Sequence, residues 1–243
     1  MSRPHSAGGP APARGTRKET IASRISGQLR DAILRGALEP GQRINLDLIR
    51  GSFQVSLSPL REAMSRLVSD GLVQFEDQRG YRVTPVSAAN LEEVTRLRVD
   101  LESLALRYSI EAGDIDWESD VVGALHRLNR IARDAARPES VEAWEAAHTG
   151  FHMQLIRGCG MPLLLHFCTV LHNLNDRYRR IFLTSNPGDP RVRDEHQAIA
   201  DAAVGRRADE ACELLRRHIE RTGTNVRMKL GPVLAEAVAG PAD

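Results

Sequence analysis

Four histidines have positions that suit metal binding. His148 and His152 are four residues apart in a segment with helical periodicity, so both project from the same helix face. His196 begins one predicted helix and His218 lies near the end of the next, so antiparallel packing would bring the two level. Three or four imidazoles that converge inside a helical bundle hold a divalent transition ion. The spacing alone leaves open the alternative that these histidines are surface or ordinary core residues.

A second group of polar and basic residues is placed to contact nucleic acid. Ser56, Ser58 and Arg61 lie at the start of a predicted helix that would enter the major groove. Arg79 and Gly80 lie at the tip of a predicted hairpin, where a wing meets the minor groove or the backbone. Three further candidates for phosphate contacts are Arg43, Arg50 and Arg66. For each of these arginines the alternative is a solvated surface position.

The elements that carry this second group have the order helix, helix, helix, hairpin. Apolar residues recur at four-residue steps over residues 21–33, and a short helix is predicted over 46–53. The third helix is expected to begin with Ser58 as N-cap and Pro59 as its first residue. Two short strands follow, around a turn at residues 78–80. The residues of the third helix expected to face the core are Leu60, Met64 and Leu67.

Beyond residue 86 the pattern is that of long amphipathic helices, without a further strand signal. Six helices are predicted, at residues 88–112, 116–137, 139–158, 162–184, 191–205 and 208–230. The predicted fold class is therefore mostly α, with an N-terminal winged helix-turn-helix domain over 19–86 and an all-α helical bundle over 87–232. Residues 1–18 are predicted to form a disordered tail, and 233–243 a flexible C-terminal tail.

The charge distribution separates the same two regions. The chain of 243 residues has a formal net charge of +1, yet it carries 13 basic and 8 acidic residues up to residue 85, against 20 and 24 after it. The excess of basic residues up to residue 85 indicates a polyanionic partner for this front region. No apolar run approaches the ~20 residues that span a bilayer, and the three cysteines lack a disulfide or zinc spacing. These features favour a cytoplasmic protein without membrane association.

Four short motifs occur in the front region: PG at 40–41, VS at 55–56, PLREA at 59–63 and DGLV at 70–73. With this spacing, the region resembles the winged-helix domain of GntR-family bacterial transcriptional regulators. The resemblance implies a domain that binds a double-stranded DNA operator. Leu57 and Ser58 stand where the family has Arg-Thr, which removes a base or phosphate contact and implies a divergent operator or weaker binding.

Two segments of the back region are AAHTGFHMQLI and EHQAIADAAVGRRADEACELLRRHI. They resemble the FCD ligand-binding domain of the FadR-type branch of the same family. The resemblance implies that His152, His196 and His218 are metal ligands, and that His148 stands where the family has Asp or Asn. A fourth imidazole favours zinc or nickel over manganese or calcium. The alternative is that His148 does not ligate and that Glu145 or water takes the place.

In related FCD regulators a small carboxylate effector binds at or near the metal. Arg98 is expected either to pair with that carboxylate or to form a structural salt bridge with Glu102. Asn175 and Arg179 are expected to line the cavity. The remaining histidines, His172 among them, are expected to be structural or exposed.

The sequence thus predicts a metabolite-responsive transcription regulator that binds a palindromic operator as a homodimer and associates with the nucleoid when bound to DNA. Two alternatives are the same regulator with a purely structural metal and a helical metalloenzyme. The segment from His148 to His152 lacks the glutamate of an HExxH motif, so no general base is supplied and an enzyme is not expected.

Overall fold

The computed structural model describes residues 20–134, 136–183 and 191–239. Its helices are α1 (Ile21–Leu34), α2 (Leu46–Phe53), α3 (Leu57–Ser69), α4 (Ala88–Ala112), α5 (Ile115–Arg130), α6 (Pro138–Arg157), α7 (Pro162–Leu183), α8 (Arg191–Val204) and α9 (Ala208–Ala239). Its strands are β1 (Arg43–Ile44), β2 (Val73–Glu76) and β3 (Gly80–Val83). This arrangement confirms the predicted fold class, a winged helix-turn-helix followed by a helical domain. Among the described helices, none is both long and apolar enough to cross a membrane.

The core of the winged domain is built by the apolar faces of α1 and α3. Ile25 and Ile33 are fully buried, as the four-residue periodicity predicts. Leu60, Met64 and Leu67 are also fully buried, so the inward face of α3 is as predicted. The opposite face of α3 is therefore left toward solvent.

The first turn of α3 differs from the prediction. The N-cap is Ser56 and not Ser58, the helix begins at Leu57, and Pro59 is its third residue. Ser56 has the extended backbone of a cap, although its side chain forms no capping hydrogen bond. Proline is accommodated at the third position because the first N–H groups of a helix have no intrahelical partner.

The wing is a three-stranded antiparallel sheet in the order β1-β3-β2. The hairpin of β2 and β3 was predicted, and Gly80 supplies the left-handed backbone (φ +81°) at its turn. Strand β1, in which Arg43 pairs with Arg82 and Ile44 with Tyr81, was not predicted from the sequence. A strand of two residues has no periodicity of its own, so only its pairing with β3 reveals it.

Two helix ends in the back region also differ from the prediction. Helix α5 ends at Arg130 and not at residue 137, because the side chain of Asp134 accepts hydrogen bonds in a local turn and Pro138 then begins α6. Helix α9 continues to Ala239, past Gly231 and Pro232, into a segment rich in the helix formers Ala, Leu and Glu. The predicted N-terminal tail, residues 1–18, lies outside the described residues.

Helix α7 connects the helical domain to the winged domain. The Arg177 guanidinium donates to the carbonyl oxygens of Thr84 and Pro85, at the end of the wing. The hydroxyl of the neighbouring Tyr178 accepts from the backbone N–H of Ser87 at 3.0 Å. Arg177 and Tyr178 are both fully buried. These contacts tie the segment between the domains to a helix that also lines the site described below.

Replacing Arg177 with alanine is expected to lower the free energy of unfolding by about 2–4 kcal/mol, because two carbonyls lose a charged donor in a buried place. Urea denaturation followed by circular dichroism measures this change. Arg216, a half-exposed residue of α9 that bonds Glu213 and Glu220, provides the control. Its alanine variant should keep the wild-type midpoint, and equal midpoints for both variants would contradict the role given to Arg177.

Candidate functional site

The four predicted histidines converge inside the helical domain. His148 and His152 project from α6, His196 from α8 and His218 from α9. All four side chains are buried. Each offers one ring nitrogen, and these four nitrogens all lie within 4.8 Å of one another. Helices α8 and α9 are joined by only three residues (205–207) and pack against each other, which brings His196 and His218 level.

In three of these side chains the same ring atom, Nε2, lies close to that of a neighbour. The Nε2 atoms of His152 and His196 are 3.3 Å apart, and those of His196 and His218 are also 3.3 Å apart. Nitrogens bound to one tetrahedral zinc at ~2.0–2.1 Å are separated by about 3.3 Å. The donor set therefore fits a single divalent transition ion.

The electrostatic surroundings keep the imidazoles neutral, which is the form that binds a metal. Burial is the main reason that the pKa values of His148, His152 and His196 lie well below 6.5. Burial also lowers the pKa of His218, although the carboxylate of Glu195 opposes the effect. None of the four rings therefore has to lose a proton to reach the neutral form.

The second ring nitrogen, Nδ1, has a different partner in two of the four histidines. In His218 it lies 2.7 Å from Oε2 of Glu195. In His148 it lies 2.9 Å from Nη1 of Arg179, whose other Nη lies 2.9 Å from Glu145. The ring of Trp144 stacks on that of His148, with centroids 4.9 Å apart.

A cavity of about 510 Å³ opens onto the cluster. It is lined by His148, His196 and His218 together with Trp144 and five arginines. The five arginines are Arg130, Arg133, Arg179, Arg193 and Arg221. A cavity with this lining favours an anionic ligand.

The predicted effector-binding residues are distributed unevenly around this cavity. Arg179 lines it, whereas Arg98 and Asn175 are buried outside its lining. Arg98 forms a bidentate salt bridge with Glu102, at 2.6 and 3.2 Å, and its pairing with an effector carboxylate stays a prediction. Burial is the largest single influence on the pKa of Glu102 and would raise it, but the charges and hydrogen bonds of Arg98 and His172 together lower that pKa to about 2.

Sequence reasoning missed several residues of the site. Trp144 precedes His148 by four positions and Arg221 follows His218 by three, so helical spacing contained a signal for both. The sequence predicts that His172, on α7, is structural or exposed. It is buried, and its ring centroid lies 5.5 Å from that of His152. Nothing in its spacing from the other histidines indicates this proximity.

In the metal-free protein, we expect the free energy of unfolding to fall as the pH is lowered below 6.5. Histidines of the unfolded chain gain protons near that pH, whereas the buried cluster stays neutral. The unfolded state then binds more protons than the folded state. At one pH unit below 6.5, each buried histidine therefore lowers the free energy of unfolding by about 1 kcal/mol. Above this range the cluster adds no pH dependence. Urea titrations in chelator between about pH 7.5 and 5.5 measure the slope, and a flat profile would contradict the expectation.

The predicted DNA-contacting residues lie on the solvent side of the winged domain. Ser56, Ser58 and Arg61 are exposed at the start of α3, and Arg79 is exposed at the wing tip. The other three arginines make contacts within the domain. Arg43 donates to the carbonyl oxygen of Arg79, Arg50 pairs with Asp47, and Arg66 bonds Glu62 and Ser23.

Comparison with known proteins identifies the architecture. The family model for the FCD domain matches residues 93–221, more than half of the chain, and that for bacterial regulatory proteins of the gntR family matches residues 21–83. The chain belongs to the GntR family. Its helical region is an FCD domain, so this is a DNA-binding transcriptional regulator of the GntR/FCD type and not an enzyme.

Several known regulators are similar to this chain over most of its length. The HTH-type transcriptional regulator BphR of Paraburkholderia xenovorans (strain LB400) is 37% identical over 82% of this chain and 82% of its own length. The HTH-type transcriptional repressor GlaR of Escherichia coli (strain K12) is 30% identical over 87% of this chain and 94% of its own. The solved structure of E. coli McbR/YncC covers 87% of this chain and 99% of its own, with a TM-score of 0.72 and 18% identity, and so shows the same fold.

Proposed function

We propose that this regulator binds its DNA operator under the control of a small carboxylate metabolite, bound at or near a divalent transition ion in the FCD domain. In this proposal residues 19–86 bind DNA, and residues 87–232 bind the effector and form a homodimer in the cytoplasm. The observation that carries the metal is a buried cluster of four histidines in which Nε2 of His196 lies 3.3 Å from Nε2 of both His152 and His218. An all-nitrogen donor set supports zinc or nickel.

The cavity beside the cluster supports an anionic effector. Arg179 and Arg221 line it together with three of the four histidines. When bound there, the metal would supply a Lewis-acidic centre to which a carboxylate oxygen can coordinate. Buried and exposed guanidinium groups around the same space balance the negative charge of such a ligand.

The connection between effector and operator is proposed to run through α7. In this helix, Arg179 lines the cavity, and Arg177 donates hydrogen bonds to the carbonyl oxygens at the end of the wing. A ligand that binds two arrangements of this helix unequally shifts the orientation of the winged domain. In a homodimer, that change alters the match between two α3 helices and a palindromic operator.

The direct test loads the purified protein with zinc or nickel and screens small organic acids by thermal shift. We expect at least one acid to raise the melting temperature of the metal-loaded protein and to change its gel-shift midpoint on operator DNA. Two results together would show that the metal is purely structural. The acids would bind equally well before and after chelation, and chelation would still lower the melting temperature of the protein. A protein that takes up neither ion would overturn the metal proposal.

A further inference from the structure

The clustered histidines differ in what their second ring nitrogen contacts, and this difference sets which nitrogen can bind a metal. A neutral imidazole has one N–H donor and one lone pair. In His218, Nδ1 faces the carboxylate of Glu195 at 2.7 Å and must donate, since a carboxylate only accepts. The lone pair of His218 is then on Nε2, the atom that lies 3.3 Å from Nε2 of His196. A carboxylate behind the ring is the usual support of a metal ligand.

His148 has the opposite arrangement. Its Nδ1 lies 2.9 Å from Nη1 of Arg179, and a guanidinium has donors only. Nδ1 therefore accepts, and the proton of the neutral ring is on Nε2. One nitrogen of His148 has its lone pair directed at Arg179 and the other carries a proton, so neither is available to a metal.

The contact between Arg179 and His148 is held in place from several sides. Arg179 also contacts the carboxylates of Glu145 at 2.9 Å and Asp176 at 3.5 Å, and its side chain is only 8% exposed. Moving Arg179 away would remove a counter-charge from Glu145, whose side chain is 1% exposed. Arg133 also lies near Glu145, at 3.5 Å, but the Arg179 contact is the shorter one. Removing one partner of a buried ion pair is destabilising, so these contacts favour the observed position of Arg179 beside His148.

His172 repeats this pattern from the neighbouring helix. Nη2 of Arg98 lies 3.4 Å from Nδ1 of His172, and Arg98 is itself fixed by Glu102. Oε1 of Glu102 is 3.9 Å from the same Nδ1, which is beyond hydrogen-bond reach. Nε2 of His172 is buried and has no hydrogen-bond partner among the described residues. An N–H donor is thus left unsatisfied on a ring whose centroid lies 5.5 Å from that of His152.

We propose that His148 and His172 are hydrogen-bond donors to an anion bound at the cluster, and that the metal ligands of the chain are His152, His196 and His218. This inference rests on the proposed function, because it presupposes a metal in the cluster. Three protein nitrogens leave a coordination place that an anionic ligand can take. The Nε2–H groups of His148 and His172 then bond the carboxylate oxygens, which explains a buried donor that otherwise has no partner.

The first test compares the same substitution at both kinds of position. Cobalt(II) affinity is measured by competition with a chromophoric chelator for His148→Gln and His172→Gln, against His152→Gln and His196→Gln. We expect the first pair to stay within about threefold of wild type, with an unchanged visible spectrum, and the second pair to lose at least about 100-fold. A loss for His148→Gln as large as that for His196→Gln would overturn the assignment.

A measurement on the wild-type protein covers the case in which a variant fails to fold. Long-range ¹H–¹⁵N spectra of zinc-loaded protein labelled at histidine report which ring nitrogen carries the proton. We expect a protonated Nε2 and an unprotonated Nδ1 for His148 and His172, and a protonated Nδ1 for His218. A metal-bound nitrogen on His148 would overturn the proposal.

The second test measures the anion itself. Acetate is titrated into cobalt-loaded protein, and its affinity is read from the visible absorption bands. His148→Ala and His172→Ala should each weaken acetate about tenfold, whereas His148→Gln, which keeps an N–H donor, should retain most of the affinity. Unchanged acetate affinity in both alanine variants, or a wild-type protein that binds cobalt but no acetate, would overturn the inference alone. A wild-type protein that takes up no cobalt would overturn the proposed function, and this inference with it.

Discussion

Replacing His196 with alanine is expected to weaken metal binding on the order of 1000-fold. Nε2 of His196 is the central atom of the cluster, at 3.3 Å from the Nε2 atoms of both His152 and His218. Metal binding to such a site is worth about 10–16 kcal/mol at neutral pH, so losing one of three ligands removes several kcal/mol. Competition with a chromophoric chelator measures the loss. We also expect that chelation lowers the melting temperature of the wild type but leaves that of His196→Ala unchanged.

His126→Ala is the matched control, because it removes an exposed histidine of α5. This variant should bind metal as the wild type does. Equal metal affinity for the two variants would contradict the site. If His196→Ala loses the metal but responds to organic acids as before, the metal is structural and the sensing part of the proposal is wrong.

Replacing Arg61 with alanine is expected to weaken operator binding by about 10- to 100-fold, which corresponds to ~1–3 kcal/mol. Arg61 is exposed near the start of α3, and its own helix buries Leu60 and Met64 on the other side. A helix in the major groove presents its N-terminal residues to base edges and phosphates. Gel shifts on DNA selected from genomic fragments by the wild-type protein measure the change, at one stated salt concentration.

Arg217→Ala removes the same charge from α9 in the FCD domain and serves as the control. It should leave the midpoint of the gel shift in place. If Arg61→Ala binds DNA as the wild type does, α3 is not placed in the groove as we propose. Leu57, which is exposed beside Ser56, makes this test more informative, since the arginine of the family is absent there.

Local patterns in the chain predicted most of the elements. The four-residue apolar periodicity of α1 and the inward face of α3 follow from the burial of one helix face, which is a local property of the sequence. The errors occur where long-range contacts or local turns compete with such patterns. Strand β1 exists only through its pairing with β3, and α5 ends early because the side chain of Asp134 forms a turn.

The candidate site was predictable to the extent that its residues share helices. His148 and His152 lie four residues apart on α6, and the short link between α8 and α9 brings His196 level with His218. His172 could not be predicted in this way, because its proximity to His152 depends on how α7 packs against α6.

The motifs of the chain, through their resemblance to the GntR family and its FCD branch, predict a regulator of this type and the histidines that cluster. They do not establish what each ring can do, since a histidine is a metal ligand or a donor according to its second nitrogen. The partner of His148 is Arg179, 31 residues away, and the partner of His218 is Glu195, 23 residues away. A donor-only guanidinium and an acceptor-only carboxylate place the ring proton on opposite nitrogens. Those partners lie on other helices than the histidines they contact. The packing of the bundle therefore decides which histidines bind the metal and which donate a hydrogen bond.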